Sequence, residues 1–245
     1  MNLKPILETQ ALTKRFRGVT AVQNLSFTLE KSSITGLLGG NGAGKTTTLS
    51  MLLGLLEPSE GSIRLFGYDF IKDRFPALGR MNFSSPYVDL PQRLTVRENL
   101  FVYAKLYGVK SPAKRIEEVA SFFRIEELLD QRLRRLSSGQ KTRVSLAKSL
   151  INEPEFLLLD EPTASLDPET TSWIREFLGE YRDQHGATIL FASHDMREVE
   201  LLCDEALLMK DGNLVEKGSP QDLLDKYKCS NLEEVFLKIN RGGNI

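Results

Sequence analysis

The sequence predicts an α/β protein whose core carries an antiparallel β portion near the N-terminus and an inserted helical region. Segments 25–30 and 62–67 alternate apolar and polar residues, as antiparallel strands do. The region from about 86 to 153 shows helical patterns and no good strand. Short apolar runs, typical of strands buried on both faces of a sheet, span residues 33–39, 156–160, 188–193 and 205–210.

Helical spacing of apolar residues recurs in several further segments, some of which begin near Pro or Ser and end near Gly. A hairpin is indicated by Lys-Asp-Gly near residue 211. Strands and helices mingle without a low-complexity linker or a repeat, so we expect a single domain over residues 1–245. Residues 1–85 and 154–245 are expected to form the core with its antiparallel β portion, and residues 86–153 the helical subdomain. The helical segments are 45–56, 97–107, 112–124, 141–152 and 169–184.

The composition argues against some classes of function. The 245 residues are 41% apolar and 27% charged, with a net charge of −1 and a pI near 6.2. With this net charge the chain has no overall positive electrostatic potential to attract nucleic acid or an anionic membrane surface, so no nucleic-acid partner is expected. Cys203 and Cys229 lack metal-ligand spacing and are expected to be apolar fillers in a reducing compartment. We find no signal peptide and no run of about 18 apolar residues, so we expect a cytosolic chain that does not itself cross a membrane.

A phosphate-binding loop is the clearest chemical motif. The stretch "GGNGAGKTT", residues 39–47, follows a buried strand and opens a helix, and it carries the phosphate-loop pattern. Its glycines let backbone N–H groups surround a β-phosphate, and the start of the helix adds positive potential. Lys45 would bridge the β- and γ-phosphates, and the Thr46 hydroxyl would bind Mg²⁺. The loop indicates nucleotide binding but does not by itself separate kinases, GTPases, motors and transport ATPases.

The carboxylates at the end of another buried strand indicate which class of nucleotide-binding protein this is. In "FLLLDEP", Asp160 would hold magnesium through water, and Glu161 would orient and deprotonate an attacking water. His194 in "FASHD" would contact the γ-phosphate from a third strand end. These residues indicate a hydrolase. A phosphate-loop kinase is disfavoured because Glu161 and His194 would have no role in one.

Together these motifs resemble those of the nucleotide-binding subunit of ABC transporters over nearly the full length of the chain. "GGNGAGKTTT" is similar to the Walker A element, and "FLLLDEPTASLDP" to the Walker B element running into the D-loop. "LSSGQKTRVSLAKSL" is similar to the family signature with its helix, and "SHD" to the switch histidine. The resemblance implies a RecA-like phosphate-loop NTPase core, ATP and Mg²⁺ as cofactors, and ATP hydrolysis coupled to transport.

The resemblance also assigns roles to individual residues. It implies that Glu161 and His194 are catalytic and that Thr46 and Asp160 contact the metal. Phe16 occupies the place where the family stacks an aromatic ring on adenine. The implied nucleotide-binding residues are Phe16, Gly39, Gly40, Asn41, Gly42, Ala43, Gly44, Lys45, Thr46, Thr47, Ser137, Gly139, Gln140 and Asp167.

The signature implies that two chains act together. In the family it binds the γ-phosphate of the ATP held by the Walker A loop of the other subunit, so two ATP molecules lie between two subunits. Ser137 is expected to N-cap a helix that begins around Lys141, and Gly139 to allow close approach of the backbone to the anion. The resemblance therefore implies a homodimer with ATP at its interface, while pairing with a different ATPase subunit stays open.

The chain departs from the family pattern at a few positions. Ser138 and Gly40 replace the commonest glycine and proline of the signature and the Walker A loop, and both are small enough to be tolerated. The family also places a glutamine that contacts magnesium before the helical region. Counting back from "LTVREN" reaches Ser85 or Pro86, and Gln92 lies too close to the next helix. The third magnesium contact is therefore left unassigned.

The resemblance implies integral-membrane permease subunits on a separate chain, with this chain peripheral on the cytoplasmic face of the cell membrane. A groove near residues 80–100 is expected to receive a helix of that partner, and Tyr87 and Val88 are candidate contacts. The ending "GSPQDLL", followed by residues 231–239, resembles that of ATPases serving exporters of drugs, polysaccharides or lipids. An importer subunit stays open, as does a soluble ABC-type ATPase acting on ribosomes or DNA. The transported substrate is not indicated.

Overall fold

A computed structural model of the protein describes residues 5–85, 89–164 and 166–240. Its strands form two sheets, and helices pack against the larger one. The strands are β1 Leu7–Phe16, β2 Val19–Leu29, β3 Ile34–Gly39, β4 Glu60–Leu65, β5 Tyr68–Asp69, β6 Met81–Ser84, β7 Phe156–Asp160, β8 Thr188–Ser193, β9 Glu205–Lys210 and β10 Asn213–Gly218.

The larger sheet has the order β10-β9-β3-β8-β7-β6, in which only the β9–β10 pair, a hairpin at Asp211, is antiparallel. Its four central strands are the four apolar runs of the sequence, and the predicted α/β core is confirmed. Strand β6 was not predicted, because Asn82 and Ser84 give it the polarity of a loop. Both side chains are buried and bond to groups of a neighbouring helix.

The smaller sheet has the order β2-β1-β4-β5 and is antiparallel, which confirms the predicted β portion near the N-terminus. Segments 25–30 and 62–67 lie in or at the ends of β2 and β4. Strand β1 was missed. Register shifts between Thr9 and Leu12 break its alternation, and Ala11 there has a φ of 48°.

The helices largely match the predicted segments, with shifted ends. The first stops at Leu52 rather than residue 56, because Gly54 follows in the left-handed conformation that ends helices. The signature helix begins at Ser138, earlier than residue 141. The helices are α1 Lys45–Leu52, α2 Phe75–Leu78, α3 Val96–Leu106, α4 Pro112–Phe122, α5 Ser138–Ser149, α6 Pro168–His185, α7 Met196–Leu202, α8 Pro220–Tyr227 and α9 Leu232–Asn240.

The helical region between β6 and β7 contains α3, α4 and α5. Thr95 and Glu98 form a reciprocal cap at the start of α3, which satisfies backbone N–H groups that have no partner within the helix. In the described part of residues 86–153 there is no strand, only an isolated bridge between Thr95 and Arg132. The boundaries of the predicted subdomains, at 85/86 and 153/154, stay predictions.

Two apolar clusters lie on opposite faces of the larger sheet. Strand β7 shows the division: Leu157 and Leu159 pack with the helices, whereas Phe156 and Leu158 pack toward the antiparallel sheet. Successive side chains of a strand point to opposite faces, so a strand between two cores must be apolar throughout. This requirement explains the uninterrupted apolar run that predicted the strand.

Within the ranges described, no helix combines the length and apolar character needed to span a bilayer.

Candidate active site

The phosphate-binding loop joins β3 to α1, as predicted. Gly42 and Gly44 have φ values of 81° and 101°, in the left-handed region that favours glycine. A Cβ atom on Gly44 would also lie 2.6 Å from the carbonyl oxygen of Ala21. Any other residue at position 44 would therefore be strained in φ and would collide with backbone.

The loop encloses a cavity at the carboxyl edge of the sheet. The cavity has a volume of about 310 Å³, and Lys45 on its wall donates from Nζ to the carbonyl oxygen of Gly39 at 2.6 Å. The structure thus brings the predicted loop residues other than Gly39 together with Asp160, the last residue of β7, and Glu161, which follows it. The lining residues are Ala21, Gly40, Asn41, Gly42, Ala43, Gly44, Lys45, Thr46, Thr47, Asp160 and Glu161.

Asp160 ends β7 and is only 6% exposed. Burial, and then the charge of Glu161, raise the pKa of its carboxyl, while a hydrogen bond from Ser85 and the charge of Lys45 oppose the rise. Asp160 and Thr46 offer carboxylate and hydroxyl oxygens to one cavity, and these are the hard donors that suit Mg²⁺ bound with phosphate. The residues present therefore fit a magnesium–nucleotide site.

Glu161 and His194 are brought into direct contact. His194 Nδ1 lies 2.7 Å from Glu161 Oε2, although the two residues are far apart in the sequence. The contact follows from the sheet order: β7 and β8 are adjacent and parallel, and the Glu161 N–H donates to the carbonyl oxygen of Ala192 at 2.9 Å. The Glu161 side chain is 15% exposed and that of His194 66% exposed. The pair lies where strand ends meet, as the sequence predicted.

The signature segment caps its own helix. Ser137 Oγ accepts from the Gln140 N–H at 3.3 Å, and Gln140 Oε1 accepts from the Ser137 N–H at 2.9 Å. This confirms Ser137 as the N-cap, and Gly139 lies in the first turn. A serine hydroxyl that accepts one bond can still donate another, so the cap leaves Ser137 able to bind an anion. Binding of ATP by Ser137, Gly139 and Gln140 stays a prediction.

Neither Asp167 nor Phe16 is among the residues that line the loop cavity. Asp167 N-caps α6 by accepting from the Thr170 N–H at 2.9 Å and from the Thr170 hydroxyl at 2.7 Å, bonds that lower the pKa of its carboxyl. Phe16 ends β1 and is 46% exposed, and stacking on a base would require such exposure. Contact of either residue with nucleotide stays a prediction.

Two residues near Asp160, Ser85 and Gln92, were considered for the third magnesium contact in the sequence analysis and left unassigned. Ser85 Oγ donates to Asp160 Oδ2 at 3.3 Å. Gln92 lines a cleft together with Asp160, but its amide donates to Asp89 at 3.4 Å. The alternative Pro86 and the proposed partner contacts Tyr87 and Val88 lie outside the described residues.

Glu198 was not predicted from the sequence. Its buried carboxylate accepts from the Thr163 hydroxyl at 2.6 Å and from the Ser193 hydroxyl at 3.5 Å. Burial raises the pKa of Glu198, and the bond from Thr163 opposes the rise. Glu198 thus links Thr163 to Ser193. Thr163 lies two positions after Glu161, and Ser193 directly precedes His194. No sequence pattern indicates this role, since nothing in the sequence distinguishes Glu198 from Glu200 on the same helix.

Comparison with known proteins gives a consistent result. A sequence profile of the family described as ABC transporter matches residues 22–164. The chain is 36% identical over 228 residues to the ABC transporter ATP-binding protein NatA of Bacillus subtilis (strain 168), covering 91% of this chain and 92% of that protein. It is 37% identical over 234 residues to the Nod factor export ATP-binding protein I of Ralstonia nicotianae, covering 95% and 73% respectively.

Solved structures share the fold. An ATP binding subunit of an ABC transporter superposes with a TM-score of 0.89 at 26% identity, covering 96% of this chain and 99% of that chain. A bacterial ABC transporter cassette solved as a dimer gives a TM-score of 0.81 at 23% identity, covering 87% and 98%. The second likeness is one of fold alone.

Proposed function

The chain belongs to the ABC transporter family of ATP-binding proteins, and we propose that it is the ATP-hydrolysing subunit of an exporter and acts as a pair of identical chains. ATP binding and hydrolysis are the activity of this family. The pairing, the direction of transport and the roles of individual residues are the parts proposed here.

The observation that carries the proposal is the 2.7 Å contact between His194 Nδ1 and Glu161 Oε2 beside the phosphate-loop cavity. With its proton on Nδ1, the imidazole donates to Oε2 and leaves Oε1 of the carboxylate to accept a proton from water. The attacking water would then be both oriented and deprotonated by Glu161. A carboxylate held in this way suits hydrolysis rather than transfer of the phosphate to another substrate.

Lys45, Thr46 and Asp160 complete the chemistry on the other side of the cavity. Lys45 Nζ, which donates to the carbonyl oxygens of Gly39 and Gly40, would donate instead to phosphate oxygens when nucleotide is bound. Thr46 directly, and Asp160 through water, would hold Mg²⁺. When bound, the ion offsets the negative charge of the phosphates.

Pairing of chains is supported by the position of the signature. Among the described residues that line the phosphate-loop cavity, none comes from residues 136–140. A second chain placed head to tail would bring its Ser137 and Gly139 to the open side of that cavity. The Ser137 hydroxyl can donate there, and the Gly139 N–H, in the first turn of α5, favours an anion.

Export is supported by the names of relatives, among them the Nod factor export proteins. We propose a membrane permease on a separate chain as the partner, with this chain on the cytoplasmic face of the membrane. The surface beside β6 suits a partner helix, because Leu55 is exposed there and lines a groove together with Phe83 and Ser84. An importer subunit is the alternative, and transport of a labelled solute in reconstituted vesicles decides between them.

Steady-state ATPase measurement on Glu161→Gln tests the catalytic assignment. Glutamine keeps the size and a hydrogen-bonding oxygen but cannot accept the proton, so turnover should fall by about a hundredfold or more while ATP binding is retained. Glu180→Ala, a change at an exposed glutamate of α6, is the control. Turnover of Glu161→Gln at the parent rate would refute Glu161 as the base.

A further inference from the structure

Strand β6 ends beside the metal-binding carboxylate. In the parallel pair β6–β7, Ser84 is opposite Leu159, so the next residue of each strand, Ser85 and Asp160, are neighbours. The Ser85 hydroxyl donates to Asp160 Oδ2 at 3.3 Å. Ser85 also lines two cavities that Asp160 lines, and Thr46 lines one of them. The hydroxyl therefore lies between the proposed metal contacts and the helical region.

The position of Ser85 is fixed from its other side by the signature helix. Ser84 Oγ and Ser145 Oγ of α5 are 2.9 Å apart. Lys148 Nζ, further along α5, donates to the carbonyl oxygen of Phe83 at 2.7 Å. These buried or half-buried bonds hold β6 against α5, and the strand in turn presents Ser85 to Asp160.

We infer that Ser85, one of the two positions where the family's magnesium-contacting glutamine could fall, is the positioning residue for Asp160 and acts on the metal through that carboxylate. A serine is too short to span the distance that a glutamine spans, but it reaches a carboxylate on the adjacent strand directly. By holding Oδ2, the hydroxyl leaves Oδ1 to face the metal and its water. The inference rests on the proposed magnesium–ATP site and adds the residue that orients it.

The test is the gain in ATP affinity that Mg²⁺ provides, measured by calorimetry on the full chain at saturating Mg²⁺ and in EDTA. For Ser85→Ala we expect this gain to fall about tenfold or more, because groups that orient a metal ligand typically contribute 10–100-fold to metal affinity. Affinity in EDTA should be unchanged. Ser85→Thr keeps the hydroxyl and should keep the gain.

Ser84→Ala is the matched control. It removes the same group from the adjacent residue, but that hydroxyl meets Ser145 and not Asp160, and the bond from Lys148 to Phe83 still holds β6 against α5. The Mg²⁺ gain should therefore stay at the parent value. Equal gains in the parent and Ser85→Ala would overturn the inference, as would an equal loss in Ser84→Ala and Ser85→Ala. If the parent bound no ATP in either condition, the nucleotide site itself would be refuted, an outcome distinct from loss of the Mg²⁺ effect alone.

Discussion

Glu161 has a φ of 48°, a backbone conformation that glutamate rarely adopts. The strain is maintained by the bond from its N–H to Ala192 and by its carboxylate contact with His194. Residues held in such conformations cluster at functional sites, because the surrounding structure must over-determine them. Here the left-handed turn directs the side chain across to β8 instead of along the course of β7.

Glu198 provides a residue-scale test of how this pair is held. In Glu198→Ala the hydroxyls of Thr163 and Ser193 lose a shared acceptor, and we expect kcat to fall about tenfold, the scale of one lost hydrogen bond to a charged group. The dissociation constant for ATP should not change, since Glu198 does not line the phosphate-loop cavity. Glu198→Gln retains an amide oxygen and should recover most of the rate. An equal loss of kcat in Glu198→Ala and Glu198→Gln would show that the hydrogen bonds from Thr163 and Ser193 do not hold the Glu161–His194 pair.

At the scale of elements, the contact between α5 and β6 holds a buried lysine. Lys148 is 4% exposed, and its ammonium lies near the rings of Phe83 and Tyr103, 4.4 and 5.3 Å from their centroids. Among the described residues, no ion pair of Lys148 is found. Burial lowers the pKa of Lys148 from 10.5 to about 8. The folded protein therefore releases this proton at a lower pH than the unfolded chain does.

This lysine predicts a pH-dependent stability difference. Between pH 8 and 10.5 the unfolded chain binds more protons than the folded protein, so folding becomes more favourable as pH rises. Relative to Lys148→Met, the parent should gain up to about 3 kcal/mol of unfolding free energy across this window and nothing below it. Urea unfolding of both proteins at several pH values measures the difference. A constant difference across the window would contradict a lowered pKa.

Elements differed in how well the sequence predicted them. Strands β3, β7, β8 and β9 were predicted because a strand between two apolar layers must be apolar throughout. Strand β6 was not predicted because Asn82 and Ser84 make its sequence polar. Their polar groups bond to α5, a helix more than 50 residues later in the chain. Periodicity reports only the average surroundings of a segment, and it cannot report which polar group lies opposite.

For the site, as for the strands, the sequence predicted local features but not contacts between distant elements. Local motifs predicted the loop glycines, Lys45, Asp160 and Glu161, since each acts at the end of its own strand or helix. The sequence placed Glu161 and His194 at the ends of two different strands, but their contact follows from the adjacency of β7 and β8, which the sequence did not show. Ser85 and Glu198 depend wholly on which strands and helices are neighbours, and for that reason the sequence could not assign them.

For the whole molecule, the proposed mechanism of ATP hydrolysis requires two chains. The phosphate-loop cavity of one chain and the signature of another would enclose the nucleotide, so ATP should stabilise the pair and hydrolysis should release it. Ser137→Arg places a bulky cation in this interface. We therefore expect Ser137→Arg in the Glu161→Gln background to prevent pairing while ATP binding by the single chain, measured by calorimetry, is retained.

The molar mass of Glu161→Gln with MgATP, measured by light scattering during size-exclusion chromatography, shows whether two chains pair around ATP. Without ATP we expect the mass of one 27.6 kDa chain, and with ATP twice that mass. The Glu161→Gln chain with Ser137→Arg added should stay at the single-chain mass in both conditions. A Glu161→Gln protein that binds ATP but stays at 27.6 kDa at high concentration, even with the proposed membrane permease supplied, would contradict the paired mechanism.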